Sequence, residues 1–159
     1  MSENKRNDLL PMLVILESLG KIRVYTDGFK TAEAFFIAED QVWFNASLML
    51  LSTIGENSGK ISEDLKLKYP KLSWRELRGL RNRIVHDYTG IDYEMVFEII
   101  TNDLKYLKDG MANIVKQELA SGIFDIKELT VARGSKYYKH VDFESLIDEQ
   151  YHESIFTTK

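Results

Sequence analysis

The sequence predicts an all-α protein, an antiparallel up-and-down helical bundle, on three observations. Apolar residues recur at three- and four-residue steps through several long segments. Only two prolines interrupt 159 residues. Breakers at Gly28, Pro70, Thr89-Gly90 and Ser121-Gly122 cut the chain into lengths suited to helices joined by short links.

The first helix is expected from about Leu9 to Tyr25. Asp8 is its cap, and Pro11 is tolerable because the first turn has no internal N–H bonds to lose. Leu9, Met12, Leu13, Leu16 and Leu19 form its apolar stripe, and Gly28 fits the stop. Thr31 is placed to cap a short turn through Ala38. From Asp40 to about Ser58, Val42, Trp43, Phe44, Leu48, Met49, Leu50, Leu51 and Ile54 cover more than one stripe, the mark of a helix packed on several sides. Such a helix belongs at the bundle centre or spends one face on a dimer contact; the pattern leaves both open.

Ile54 to Lys60 resembles a phosphate loop only superficially. That loop needs four residues between its glycines and Ser or Thr after the lysine, whereas this chain has three and then Ile61. The segment reads instead as a helix end loosened by Gly55, Ser58 and Gly59, with Glu56 and Asn57 near the arginine-rich segment that follows. Ser62 caps a short piece ending at Pro70. Asp92 starts the longest helix, to about Leu119, where Tyr93, Val96, Phe97, Ile100, Leu104, Leu107, Met111, Ile114 and Val115 recur almost as heptads. Beyond it, Val131, Tyr137, Tyr138 and Val141 around Arg133-Gly134-Ser135 leave room for a small β-hairpin, and Asp142 can cap a last helix to about His152. The chain thus divides into a bundle over 1–118 and an extension over 119–159. That extension either covers the bundle, reaches a second copy, or meets a partner.

Composition narrows the function. Hydrophobic content of 44% indicates a folded chain of one domain. The absence of cysteine excludes disulfides and thiolate metal sites. No apolar run approaches the roughly 18 residues that span a bilayer, and the N-terminus lacks the apolar core of a signal peptide, so a cytoplasmic protein without a membrane role is expected. A net charge of −4 opposes indiscriminate wrapping of nucleic acid, yet permits a confined cationic cleft. His140 and His152, with Asp142 and Glu153 nearby, match no metal-ligand spacing, and no serine sits in a nucleophile context. No metal and no cofactor are expected.

Chemistry is concentrated in residues 73–93. Ser73 and Glu76 have capping-box spacing, so a helix begins near Trp74 and carries Arg75, Arg78, Arg81 and Arg83, with His86, Asp87 and Tyr88 at its end. Arginine is a permanent cation suited to phosphate, and histidine moves protons near neutrality. Together they suffice to cleave an RNA phosphodiester without metal. At ~100° per residue, Arg81 and His86 stand about 140° apart on an unbroken helix. Either the helix distorts between them, or the site combines two copies of the chain. The structural alternative is a solvated arginine face ending in a histidine that favours the helix C-terminus.

The string of Arg81, His86 and Tyr88 resembles the R-x-x-x-x-H-x-Y signature of HepT proteins, the HEPN toxins paired with MNT nucleotidyltransferase antitoxins. Ile54-Gly55-Glu56, Pro70, Trp74-Arg75-Glu76, Asn82 and Gly90-Ile91-Asp92 extend the resemblance over about residues 8–118. It implies a HEPN-like bundle and a metal-independent endoribonuclease acting as a homodimer, with Arg81 and His86 of both copies in one cleft. It further implies that Tyr88 accepts AMP from the cognate nucleotidyltransferase, which blocks the site. Arg78 and Arg83 would steer the RNA backbone, Asn82 would either orient the phosphate or simply cap a broken helical turn, and Asp87 and Glu56 would support the site. A requirement for the 2′-hydroxyl predicts RNA and not DNA as substrate. The same family resemblance admits a second reading, a non-catalytic nucleotide- or substrate-binding companion of a nucleotidyltransferase.

Overall fold

The computed structural model describes residues 7–86, 88–149 and 151, Tyr88 by its backbone alone. Its helices are α1 (Leu9–Thr26), α2 (Ala32–Ile37), α3 (Val42–Lys60), α4 (Glu63–Lys68), α5 (Trp74–His86), α6 (Tyr93–Glu98), α7 (Leu104–Ala120) and α8 (Ile126–Arg133). A π-helical turn, Ile99–Asp103, joins α6 to α7 in one continuous rod. Among the described residues there is no strand, and no helix is long and apolar enough to cross a membrane.

The bundle is antiparallel, as its sequence predicts. The Asp8 carboxylate accepts the Ser62 amide at 2.8 Å and the Ser62 hydroxyl at 2.5 Å, so α1 starts where α3 ends. Asp8 therefore makes no cap bond to α1, contrary to expectation; Asn7 Oδ1 takes the Leu9 amide at 3.1 Å instead. Thr31, Ser62 and Asp92 cap as their spacing predicts. α3 packs against both α1 and α5, which puts it at the bundle centre. It begins two residues later than its apolar pattern implies because Glu39, Asp40 and Gln41 adopt left-handed φ values of 48°, 53° and 68° in the turn before it. It also runs unbroken to Lys60, so Gly55, Ser58 and Gly59 lie inside the helix and do not loosen its end.

α5 runs antiparallel to α3, since Leu51 and Ile84 line one cavity while Gly55 meets Leu77 and Arg81. α1 and α5 consequently end at the pole where α3 begins. An aromatic cluster fills this pole. Phe35 lies 5.4 Å from Phe29, 6.0 Å from Phe44 and 5.8 Å from Phe97 between ring centroids, and Phe36 stacks on Tyr93 at 4.5 Å.

The hairpin expected between Lys127 and Val141 is absent. Asp125 caps α8 by accepting the Lys127 amide at 2.8 Å, and Leu129 and Ala132, three residues apart, turn one helical face into the core. Burial at helical spacing outweighs the β-propensity of Val131, which stays exposed. Phe143–Leu146 is a single 3-10 turn capped by Asp142 where a longer helix is expected, and His152 lies outside the described residues. Phe124, Leu129, Val141, Phe143, Leu146 and Ile147 join the same core as α1 and α7, so the extension covers the bundle.

Two buried acids secure these contacts. Glu17 accepts the His140 amide at 2.6 Å and lies 2.8 Å from His140 Nδ1, tying the extension to α1. Glu118 accepts Lys68 Nζ at 2.5 Å and the Tyr69 hydroxyl at 2.6 Å, tying α7 to the end of α4. Both sit on otherwise apolar stripes, where a carboxylate is tolerable only when paired.

Burial, reinforced by the Glu118 carboxylate, pushes the Tyr69 phenol up to about 12 from 10.0. The unfolded chain releases this proton first as pH rises, so Tyr69 stabilises the fold fully below pH 10 and loses that contribution between pH 10 and about 12. Urea unfolding should therefore show a stability gap between wild type and Tyr69→Phe that is constant up to pH 10 and narrows above it. A gap independent of pH across that window would contradict the Tyr69–Glu118 coupling.

Candidate functional site

α5 leaves most of its side chains outside the core. Only Leu77 and Ile84 of its side chains are buried, while Arg75, Arg78, Arg81, Asn82, Arg83, Val85 and His86 are exposed. The helix is seated where a Cβ on Gly55 would stand 2.8 Å from the Arg81 amide nitrogen and 2.9 Å from the Leu77 carbonyl oxygen. Backbone thus meets backbone beneath Arg81, and the guanidinium emerges at the seam between α3 and α5.

The antiparallel register through this crossing brings Glu56 level with Arg78 and Met49 level with Val85 on the same outward flank. Met49 and Val85 are 72% and 56% exposed, which gives the cationic surface an apolar margin. Glu56 pairs with Lys60 at 3.7 Å along its own helix. Asn57 is buried and donates to the Thr53 carbonyl at 2.9 Å, away from the arginines.

Arg83 occupies the other flank. Its Nη2 donates to Met95 Sδ at 2.9 Å, and it lines both grooves between α5 and the α6–α7 rod. The larger groove, about 630 Å³, has Leu72, Leu77, Leu80 and Leu104 as its floor, with Glu76 and Asp103 at its edge. Sequence periodicity offers no signal for this groove, whose lining includes Ile99 and Asp103 of the π-helical turn. α5 stays α-helical through His86, so no distortion brings Arg81 and His86 together within one chain. The angle of about 140° between them stands. Arg83 and His86 both lie in the last turn, where the carbonyl end of the helix favours cations. Asp87 lies outside the described residues, and the backbone of Tyr88 opens a 3-10 turn through Gly90. Among the described residues no group of His, Asp and Glu is placed to hold a metal ion.

A family model described as ribonuclease HepT-like matches residues 15–114. The chain belongs to the HepT-like ribonuclease family. A Methanocaldococcus jannaschii protein named as a candidate RNase is 35% identical over 94 residues, which cover 59% of this chain and 84% of that protein. A second from the same organism is 32% identical over 102 residues, covering 64% of this chain and 82% of its own length. A Thermococcus cleftensis protein named probable ribonuclease HepT is 32% identical over 73 residues, 46% of this chain and 66% of that one. No solved structure matches. The family match contains all of α3 and α5, with the R-x-x-x-x-H-x-Y string, and stops inside α7.

The tight crossing carries a direct expectation. Gly55→Ala should lower stability by about 1–3 kcal/mol, because two backbones must separate to admit the methyl group. Gly59→Ala, where nothing lies within 4 Å, should be neutral or raise stability by about 0.5–1 kcal/mol. Thermal unfolding of the two variants measures the contrast.

Proposed function

We propose that the protein is the endoribonuclease toxin of a HEPN/MNT toxin–antitoxin pair, working as a homodimer without metal. The observation that carries this reading is the exposure of Arg81 and His86 on different faces of an unbroken α5 in a HepT-like chain. Neither residue is engaged in the core, and one copy does not align them. Two copies meeting along the α3–α5 flank would bring two guanidiniums and two imidazoles to one crevice, with Met49 and Val85 at the contact.

The chemistry then needs no further component. One His86 takes the proton from the ribose 2′-hydroxyl as its oxygen attacks phosphorus. The bond to the 5′-oxygen breaks, and the second His86 donates a proton to that leaving oxygen, leaving a 2′,3′-cyclic phosphate and a 5′-hydroxyl. Arg81 from each copy stabilises the charge that gathers on the non-bridging oxygens. Arg78 and Asn82 lie on the same flank to hold the strand, whereas Arg83 points to the opposite side and is left out of the crevice. DNA lacks the attacking hydroxyl and is not a substrate.

The partner is the cognate MNT nucleotidyltransferase, which attaches AMP to Tyr88. A bulky anion placed beside the arginines that receive RNA blocks the site by charge and by volume together.

RNA incubated in EDTA tests the core of the reading. Wild type should cleave, and His86→Ala or Arg81→Ala should lower the rate by about 10²- to 10⁴-fold. Equal inactivity of all three proteins would favour a binding companion over an enzyme. For Tyr88, incubation with ATP and the cognate nucleotidyltransferase should yield an AMP adduct on that residue by mass spectrometry; an inhibited complex with Tyr88 unmodified would remove this part of the proposal.

A further inference from the structure

We propose that residues 131–140 form a docking platform for single-stranded RNA, separate from the Arg81–His86 crevice. The idea rests on the ribonuclease reading for its choice of ligand and on the extension for its geometry. The segment V-A-R-G-S-K-Y-Y-K-H contains Arg133, Lys136 and Lys139 and no acid, in a chain whose net charge is −4. It lies outside the family match, which ends at residue 114.

Lys136, Tyr137 and Lys139 all face solvent, and Tyr137 is 70% exposed. Its neighbour Tyr138 packs against the core, so the fold uses one tyrosine of the pair and leaves the other outside. The Lys136 ammonium lies 5.4 Å from the centroid of the Tyr137 ring. Aromatic surface interleaved with cations suits a single strand, since bases stack on the ring while lysines meet phosphates.

The platform is held in place before any ligand arrives. On its N-terminal side, α8 leads into a turn in which the Ser135 amide donates to the Ala132 carbonyl at 2.9 Å and Ser135 Oγ accepts the Tyr137 amide at 3.2 Å. At its far end His140 is clamped by Glu17, and its backbone lies so close to α1 that a Cβ on Gly20 would stand 2.5 Å from the His140 carbonyl oxygen. Little ordering is left for binding to oppose. Val131, Ser135 and Tyr138 line a groove with Asn7 and Leu10 at the start of α1, so the segment runs from that end of α1 to Gly20 near its middle and is separate from the pole where α5 ends at His86.

Binding is tested on the full-length protein with a fluorescein-labelled 2′-O-methyl oligouridine, which cannot be cleaved through a 2′-hydroxyl. Fluorescence anisotropy should show Kd raised at least tenfold in Lys136→Glu/Lys139→Glu, and about fivefold or more in Tyr137→Ala. Lys136→Gln/Lys139→Gln should lower the slope of log affinity against log salt by about 1.4, for two phosphate contacts of ~0.7 each. Kd and salt slope unchanged in the lysine variants would overturn the platform, as would polyglutamate displacing the RNA with equal potency, which would mark a surface for acidic protein. The two readings fail separately. Oligonucleotide binding that depends on these residues, without cleavage of RNA by wild type, would overturn the nuclease alone; cleavage with KM unaffected by the lysine variants would overturn the platform alone.

Discussion

A close backbone-to-backbone crossing of two helices lies directly under the most reactive stretch of this protein. Because Gly55 has no side chain, α5 settles backbone to backbone on α3, with Leu77 and Ile84 buried and Trp74 and Leu80 partly buried against the core. A helix held so economically can give nearly all its remaining surface to arginine. Without the glycine, α5 would need a wider apolar stripe to stay attached, and the residues available for that stripe are the ones that carry charge. The fold and the candidate chemistry therefore share one steric condition.

Carboxylates provide a second level of organisation. Asp8, Glu17 and Glu118 each join segments far apart in sequence: α1 to the start of α4, α1 to His140, and α7 to Lys68 and Tyr69. Asp8 and Glu118 each accept hydrogen bonds from two groups, and Glu17 accepts the His140 amide and lies beside its imidazole, which offsets the desolvation that a lone acid would suffer. Among the described residues, none of the three is hydrogen-bonded to an α5 arginine. The rigid part of the molecule is thus wired by acids, while the outer flank of α5 presents cations, and this segregation lets a chain of net charge −4 offer a positive surface where phosphate would dock.

Much of the bundle was readable in advance because helical periodicity and capping are local. The starts of α2, α4 and α6 follow Thr31, Ser62 and Asp92, and the apolar rows of α1 and α7 point inward as their spacing requires. Local rules failed where a distant segment supplied the partner. Asp8 has the right chemistry for a cap but bonds Ser62 instead. The sequence around Arg133 to Val141 contains strand formers without a second strand to pair with, so α8 wins by burying Leu129 and Ala132. Two signals were present and easily passed over. A glycine inside an apolar helical row, as at Gly20 and Gly55, announces a neighbour at close range, and an acid in such a row, as at Glu17 and Glu118, announces a buried partner.

By itself the sequence determined that the protein is a bundle of helices, where most of them begin, and that Arg81, His86 and Tyr88 stand in the pattern of its family. These are properties of neighbours along the chain, fixed by spacing and by hydrogen bonds over a few residues. Only the tertiary structure decided that α5 stays helical through His86, that Arg83 turns away to Met95 while Arg78 and Arg81 remain on the outer flank, and that the extension folds back onto α1. Those outcomes depend on which surfaces meet across the bundle, and the geometry of a meeting is set by the shape of both partners, which no single segment encodes.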